Sequence, residues 1–149
     1  MRFIDRLHML HRAWRYRLRA ERQEIRYLFQ QDLLGATVVD IGANRGVYSY
    51  WMHRRVGPLG QVVAFEPQPE LVAWLKQVQK GFRLQRLQIV PQALSSSPGE
   101  GTLVRPENHW GGASLHIRQA PGREALRVSL TTLTTISSRQ IQIMVQSAS

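Results

Sequence analysis

The 149-residue chain contains no cysteine. Disulfides, thiolate metal sites and a cysteine nucleophile are therefore excluded. No apolar run reaches about 18 residues, the length a membrane-spanning helix needs. The N-terminus has neither a continuous apolar core nor a small-residue cleavage site, so no secretory signal is read there, and a cytoplasmic location is expected. Acids are scarce: 10 Asp and Glu stand against 20 Lys and Arg, for a net charge of +10. Aromatic residues make up 8% and do not cluster into a base-stacking platform. The dinucleotide signature G-x-G-x-x-G is absent, which disfavours a nicotinamide-dependent dehydrogenase.

What is present fits one soluble domain, with 43% hydrophobic and 20% charged residues. The basic excess consists almost entirely of arginine. Residues 1–26 hold eight arginines against Asp5, Glu21 and Glu24. A positive field of this kind favours anionic partners such as nucleic acid, anionic lipid or phosphorylated substrates, and a solvated basic face also explains it.

Residues 1–34 read as a basic amphipathic helical extension. Phe3, Leu7, Leu10, Trp14, Leu18, Ile25 and Leu28 recur at spacings of three, four or seven, which places them on one helical face. Arg12, Arg15, Arg19, Arg22 and Arg26 fall mostly on the other. Two readings stay open: the apolar stripe packs on the following domain, or the helix lies on an anionic membrane or partner.

From residue 35 the pattern changes. Thr37 to Ile41 is a β-branched run between Gly35 and Gly42, predicted as a buried strand. Gly46 to Arg55 reads as a helix, Gln61 to Glu66 as a second strand, and Glu70 to Lys80 as a second helix stopped by Gly81. Leu87 to Val90 reads as a third strand. This alternation predicts an α/β fold, Rossmann-like and doubly wound, with a mostly parallel sheet. Later, 101–105 and 126–130 read as short strands, 108–114 as a loop, and 140–145 as one more strand.

The stretch V-V-D-I-G-A-N-R-G at 38–46 carries the chemistry. Gly42 permits a sharp turn after the strand, Gly46 a close helix start, and Asn44 a left-handed backbone. Asp40 stands two residues before the first glycine. A carboxylate there repels pyrophosphate and suits a cationic ligand such as the sulfonium and amino side of S-adenosylmethionine. Glu66 ends the second strand, where a carboxylate accepts bonds from ribose hydroxyls. Taken singly, Asp40 reads as a cap and Glu66 as a solvated strand end. Together they describe a nucleoside with a positively charged tail.

At these residues the sequence resembles the class I S-adenosylmethionine-dependent methyltransferases, and more narrowly the FkbM family. V-V-D-I-G-A-N-R-G-V-Y-S at 38–49 is similar to that family's first motif, and V-G-P-L-G-Q-V-V-A-F-E-P-Q-P at 56–69 to its second. V-P-Q-A-L-S-S-S-P-G at 90–99 and G-G-A-S-L at 111–115 are weaker matches. The resemblance implies S-adenosylmethionine as cofactor and methyl transfer to a hydroxyl on a sugar or other small natural-product acceptor. It implies that Asp40, Gly42, Asn44 and Gly46 form the methionine-side turn, that Glu66 takes the ribose, and that Gln92 and Ala93 lie near the adenine. His109 and His116 are the weak candidates for a base, each also readable as an ordinary loop residue. Trp110 is a candidate acceptor wall and Ser114 an acceptor contact. His53 reads as structural or solvated. No metal is expected.

The sequence departs from the family pattern near its end. Thr134, Gln146 and Ala148 stand where acids are usual. The domain at 35–149 is therefore expected to be incomplete at its C-terminus. The exposed sheet edge is expected to need a second copy or a partner chain. Two rivals follow: a non-catalytic cofactor-binding remnant or subunit, and an RNA-associated methyltransferase using the basic surface.

Overall fold

The computed structural model describes residues 2–107, 111–115, 120–135 and 141–145. Helix α1 (Phe3–Arg15) opens where the Asp5 carboxylate accepts the backbone N–H of Arg2, 3.0 Å away. A π-helical turn over Tyr16–Ala20 leads to α2 (Arg22–Gln30), with Glu21 out of helical conformation between them. There follow β1 (Thr37–Ile41), α3 (Val47–Val56), β2 (Gln61–Phe65), α4 (Pro69–Phe82) and β3 (Leu87–Val90). Short β4 (Ala93–Leu94), β5 (Gly99–Pro106), β6 (Arg123–Thr131), a 3-10 turn at Leu133–Thr135 and β7 (Ile141–Val145) complete the order.

The main sheet is wholly parallel in the order β3-β2-β1-β7. The chain steps outward from β1 to β3, then returns to pair β7 on the other side of β1. That reversal places the topological switch point between β1 and β7, at the Asp40 end of β1. A second sheet, β4-β6-β5, pairs β5 and β6 antiparallel over eight residues. The α/β, Rossmann-like architecture read from the alternating pattern is thus present.

Burial follows from composition. Val38, Val39, Val62, Val63 and Ala64 are essentially inaccessible, because β1 and β2 are covered on both faces. One face carries α3 and α4 over a core that includes Val38, Val62, Leu75 and Val78. On the other face Val39, Val63 and Phe65 meet the partly buried Ile41, Val90, Leu94 and Leu133. Among the described residues, no helix is long and apolar enough to cross a membrane.

Two expectations are corrected. Gly81 does not stop α4; the helix runs on to Phe82, whose ring meets Tyr50 at 5.4 Å, and Arg83 supplies the left-handed cap at φ 53°. The N-terminal stripe also divides. Ile25 and Leu28 enter the core beside Met9 and Ala13, and Leu10 packs on it, but Phe3, Leu7, Trp14 and Leu18 remain exposed.

The two N-terminal helices share the core of α3 rather than standing apart from it. Trp51 donates its indole N–H to the Ala13 carbonyl at 3.2 Å, and Arg55 donates to the carbonyls of Phe29 and Gln31 at 3.1 Å each. Met9→Ala and Leu28→Ala should each cost about 2–4 kcal/mol of stability, measured by urea denaturation. A loss near zero would mean that these helices are not part of the cooperative unit.

Candidate functional site

The turn after β1 is built from backbone conformations that few residues adopt. Gly42 has φ 71°, Asn44 φ 49° and Gly46 φ 79°. The amides of Gly42 and Ala43 both donate to the Phe65 carbonyl at 3.0 Å, which pins the turn to the tip of β2. A Cβ on Gly46 would stand 2.7 Å from Leu75 Cδ2, so glycine there lets α3 begin against α4. A Cβ on Gly42 would meet nothing within 4 Å. The two glycines therefore serve different ends: Gly46 close packing, Gly42 a backbone open to an approaching ligand.

Asp40 and Glu66 close the turn on either side. Asp40 is fully buried at the end of β1 and accepts a short hydrogen bond from the hydroxyl of buried Ser49, in the first turn of α3. Glu66, one residue beyond β2, is buried as well. Its Oε2 accepts the Asn44 N–H at 2.8 Å and its Oε1 the Gln68 N–H at 3.0 Å. Burial pushes the Glu66 carboxyl above its ordinary range, the two amides pull it back, and the nearby Asp40 charge adds to the rise. The two carboxylates thus sit close enough to feel each other. Each carboxylate oxygen has two lone pairs, so Glu66 retains capacity for further donors such as hydroxyls.

Arg45 lies between these acids in sequence and is partly buried. Burial lowers its pKa first, then the Arg12 charge, while Tyr16 acts in the opposite sense. Its carbonyl accepts the Trp74 indole N–H at 3.2 Å. Tyr48 donates a short hydrogen bond to buried Glu21, and burial followed by that bond raises its pKa steeply. Gln92 and Ala93 follow the third strand tip, where the Glu66 amide donates to the Val90 carbonyl at 3.1 Å. The chain thus brings Asp40, Gly42, Asn44, Gly46 and Glu66 around one turn, with Ala93 beyond the neighbouring strand.

Other candidates lie elsewhere. His109, Trp110, His116, Gln146 and Ala148 fall outside the described residues. Ser114 forms a backbone bridge with Val104. His53 accepts the Arg86 N–H at 3.4 Å, and burial, then the Arg86 and Arg54 charges, lower its pKa. Thr134, where an acid is usual in the family, is exposed, its hydroxyl 2.6 Å from that of Thr132. No group of three or more acids and histidines among the described residues is arranged to hold a metal.

Sequence reasoning missed three contributors. Ser49 was read as the last residue of the first motif with no role of its own, yet it holds Asp40. Glu21 entered only the charge balance of residues 1–26, yet it is buried against Tyr48. Arg105 was read only as part of a short strand. It is buried and donates to Gln68 at 2.8 Å, to Glu124 at 2.7 Å and to both oxygens of Glu70 at 3.0 and 3.3 Å. The Glu70 bond, the largest contribution, raises the Arg105 pKa.

The methyltransferase FkbM domain matches residues 40–145. The chain belongs to this family. Among curated proteins none matches. Solved structures similar to this FkbM domain include a Clostridium thermocellum protein described as an rRNA methylase, at 23% identity and TM-score 0.47, over 49% of this chain and 40% of that one. A SAM-dependent methyltransferase from Aquifex aeolicus aligns at 23% identity and TM-score 0.45, over 51% and 42%. A SAM-dependent O-methyltransferase from Thermotoga maritima aligns at 15% identity and TM-score 0.44, over 59% and 44%. The FkbM chain described here thus spans about two fifths of the length of these solved proteins.

Gly46→Ala should be the more damaging glycine substitution, costing about 2–4 kcal/mol from a strained φ and the Leu75 overlap. Gly42→Ala should cost about 1 kcal/mol, from its φ alone. Equal losses in urea denaturation would contradict this division. A second outcome concerns pH. Because the folded carboxyl of Glu66 titrates above the ordinary glutamate value of 4.5, the folded chain holds that proton to higher pH than the unfolded chain. Its contribution is present in acid and is lost as pH rises through the raised value. The Tm advantage of the parent over Glu66→Gln should therefore shrink from acid to neutral pH.

Proposed function

We propose that the turn between β1 and α3 binds S-adenosylmethionine and that the FkbM domain serves methyl transfer to a hydroxyl oxygen of a small acceptor, such as a sugar. The observation that carries this is the pair of buried carboxylates, Asp40 and Glu66, at adjacent strand tips around a left-handed turn. They create an acidic centre in a chain of net charge +10. Phosphate-rich nucleotides are repelled there. A nucleoside whose tail carries ammonium and sulfonium charges is attracted.

The residues present fit that group. Glu66 faces the position of a ribose, with lone pairs to spare. Asp40, fixed by Ser49, sets negative charge at the strand tip, where the cationic tail would lie. Gly42 leaves the backbone open on its Cβ side. Ala93 follows the third strand, on the side where an adenine would lie. The cofactor supplies a methyl group on a good leaving group, so the protein's task is chiefly to align the acceptor oxygen with it. Family membership supports the reaction class, and the hydroxyl acceptor is the reading the FkbM relationship favours.

Calorimetric titration of the full chain with S-adenosylmethionine tests this, beside Asp40→Asn and Glu66→Gln variants shown to be folded by circular dichroism. Micromolar affinity is expected, at least about tenfold weaker in either variant, as the loss of one charged hydrogen bond implies. Affinity should strengthen as pH rises through the Glu66 titration, because hydroxyl donors prefer the carboxylate. A folded chain without affinity, or with affinity indifferent to both variants, would overturn the assignment. Binding without methyl transfer across hydroxyl acceptors would replace the enzyme reading with that of a cofactor-binding subunit.

A further inference from the structure

The apolar stripe of α1 faces away from the protein. At 100° per residue, Phe3, Ile4, Leu7 and Trp14 fall within an arc of about 100°. They are 75%, 53%, 48% and 48% exposed, and Leu18, in the π-helical turn, is 60% exposed. The opposite arc carries Met9 and Ala13, at 1% and 0%. The helix is therefore apolar on two sides, and the side with the larger residues is uncovered. A contiguous exposed patch of this kind marks an interaction surface.

Its charge is one-sided. Arg2, Arg6, Arg15, Arg19, Arg22 and Arg26 are all exposed. Of the three acids in this stretch, Asp5 is paired with Arg2 and Glu21 is buried against Tyr48, which leaves Glu24 as the exposed one. The helix is also held in this orientation. The Arg17 guanidinium lies 4.6 Å from the Phe29 ring centroid and 5.1 Å from those of Trp14 and Trp51. Trp14 meets Trp51 edge-on at 5.6 Å, and Arg6 lies 5.5 Å from the Phe82 ring centroid. These contacts hold the inner side and one edge of the Trp14 ring, and leave Phe3, Ile4, Leu7 and Leu18 outward.

We infer that α1 and the following turn dock the protein on an anionic lipid bilayer, with Phe3, Ile4, Leu7 and Leu18 entering the headgroup boundary and the flanking arginines meeting lipid phosphates. A bilayer uses both features at once: aliphatic insertion and non-specific attraction of cations. A nucleic acid would use the arginines but has no demand for exposed aliphatic side chains without a stacking platform. A second copy would bring two arginine-rich faces together.

The test is flotation of the full chain with phosphatidylcholine vesicles, with and without phosphatidylglycerol. Binding to the anionic vesicles is expected, with little to neutral ones, and it should weaken with added salt. Phe3→Ser/Leu7→Ser/Leu18→Ser changes only exposed positions and should lower partitioning about tenfold or more without lowering the melting temperature. Arg15→Gln/Arg19→Gln/Arg22→Gln keeps the stripe and should lower anionic partitioning roughly 100-fold. Trp14 fluorescence, isolated by subtracting a Trp14→Phe variant, should shift to the blue on binding. Undiminished flotation of the folded serine variant would overturn the proposal. So would binding to polyuridylate, or a dimer that the serine variant abolishes, in the absence of vesicle binding.

Discussion

The two backbone N–H groups that donate hydrogen bonds to the Glu66 carboxylate organise the site. One oxygen holds Asn44, in the middle of the glycine turn, and the other holds Gln68, the residue before α4. A single side chain thereby fixes how β1 passes into α3 and how β2 passes into α4. Gln68 in turn accepts from Arg105, which also ties Glu70 and Glu124, so the same anchor reaches the β5–β6 sheet. The arrangement is costly. Glu66 is buried beside another acid, and burial raises its pKa while the two amides act in the opposite sense.

Charge is distributed against that anchor. The chain as a whole is strongly basic, yet two buried acids, Asp40 and Glu66, stand at the switch point.

Much of this was legible in the residues. The β-branched run of β1, the glycine and asparagine positions of the turn, and the acid at the end of β2 are local signals, and each stands where it was expected. The misses share a physical cause: they depend on contacts between distant segments. Gly81 reads as a helix stop, but Phe82 gains a place against Tyr50, and α4 extends until Arg83 accepts the left-handed cap. Ser49 looks like any helix serine until its hydroxyl meets Asp40. Arg105 sits in a stretch without strong periodicity, and its partners lie about 20 and 35 residues away in either direction.

The N-terminal helix shows the limit of periodicity most clearly. Spacing identifies an apolar face, but not whether that face looks inward. Here α1 carries two. Met9 and Ala13 are buried toward α3, where one is flexible and the other small, whereas Phe3 and Leu7 stand outside and Trp14, half exposed, meets Trp51 only by a ring edge. The inner side is tied to the site: Trp51 reaches Ala13, and Glu21 reaches Tyr48, in the first turn of α3. A surface engaged by the outer side would therefore fix the orientation of α3 and of the turn that precedes it. The mouth of the switch point would be presented at a constant angle to whatever that surface holds.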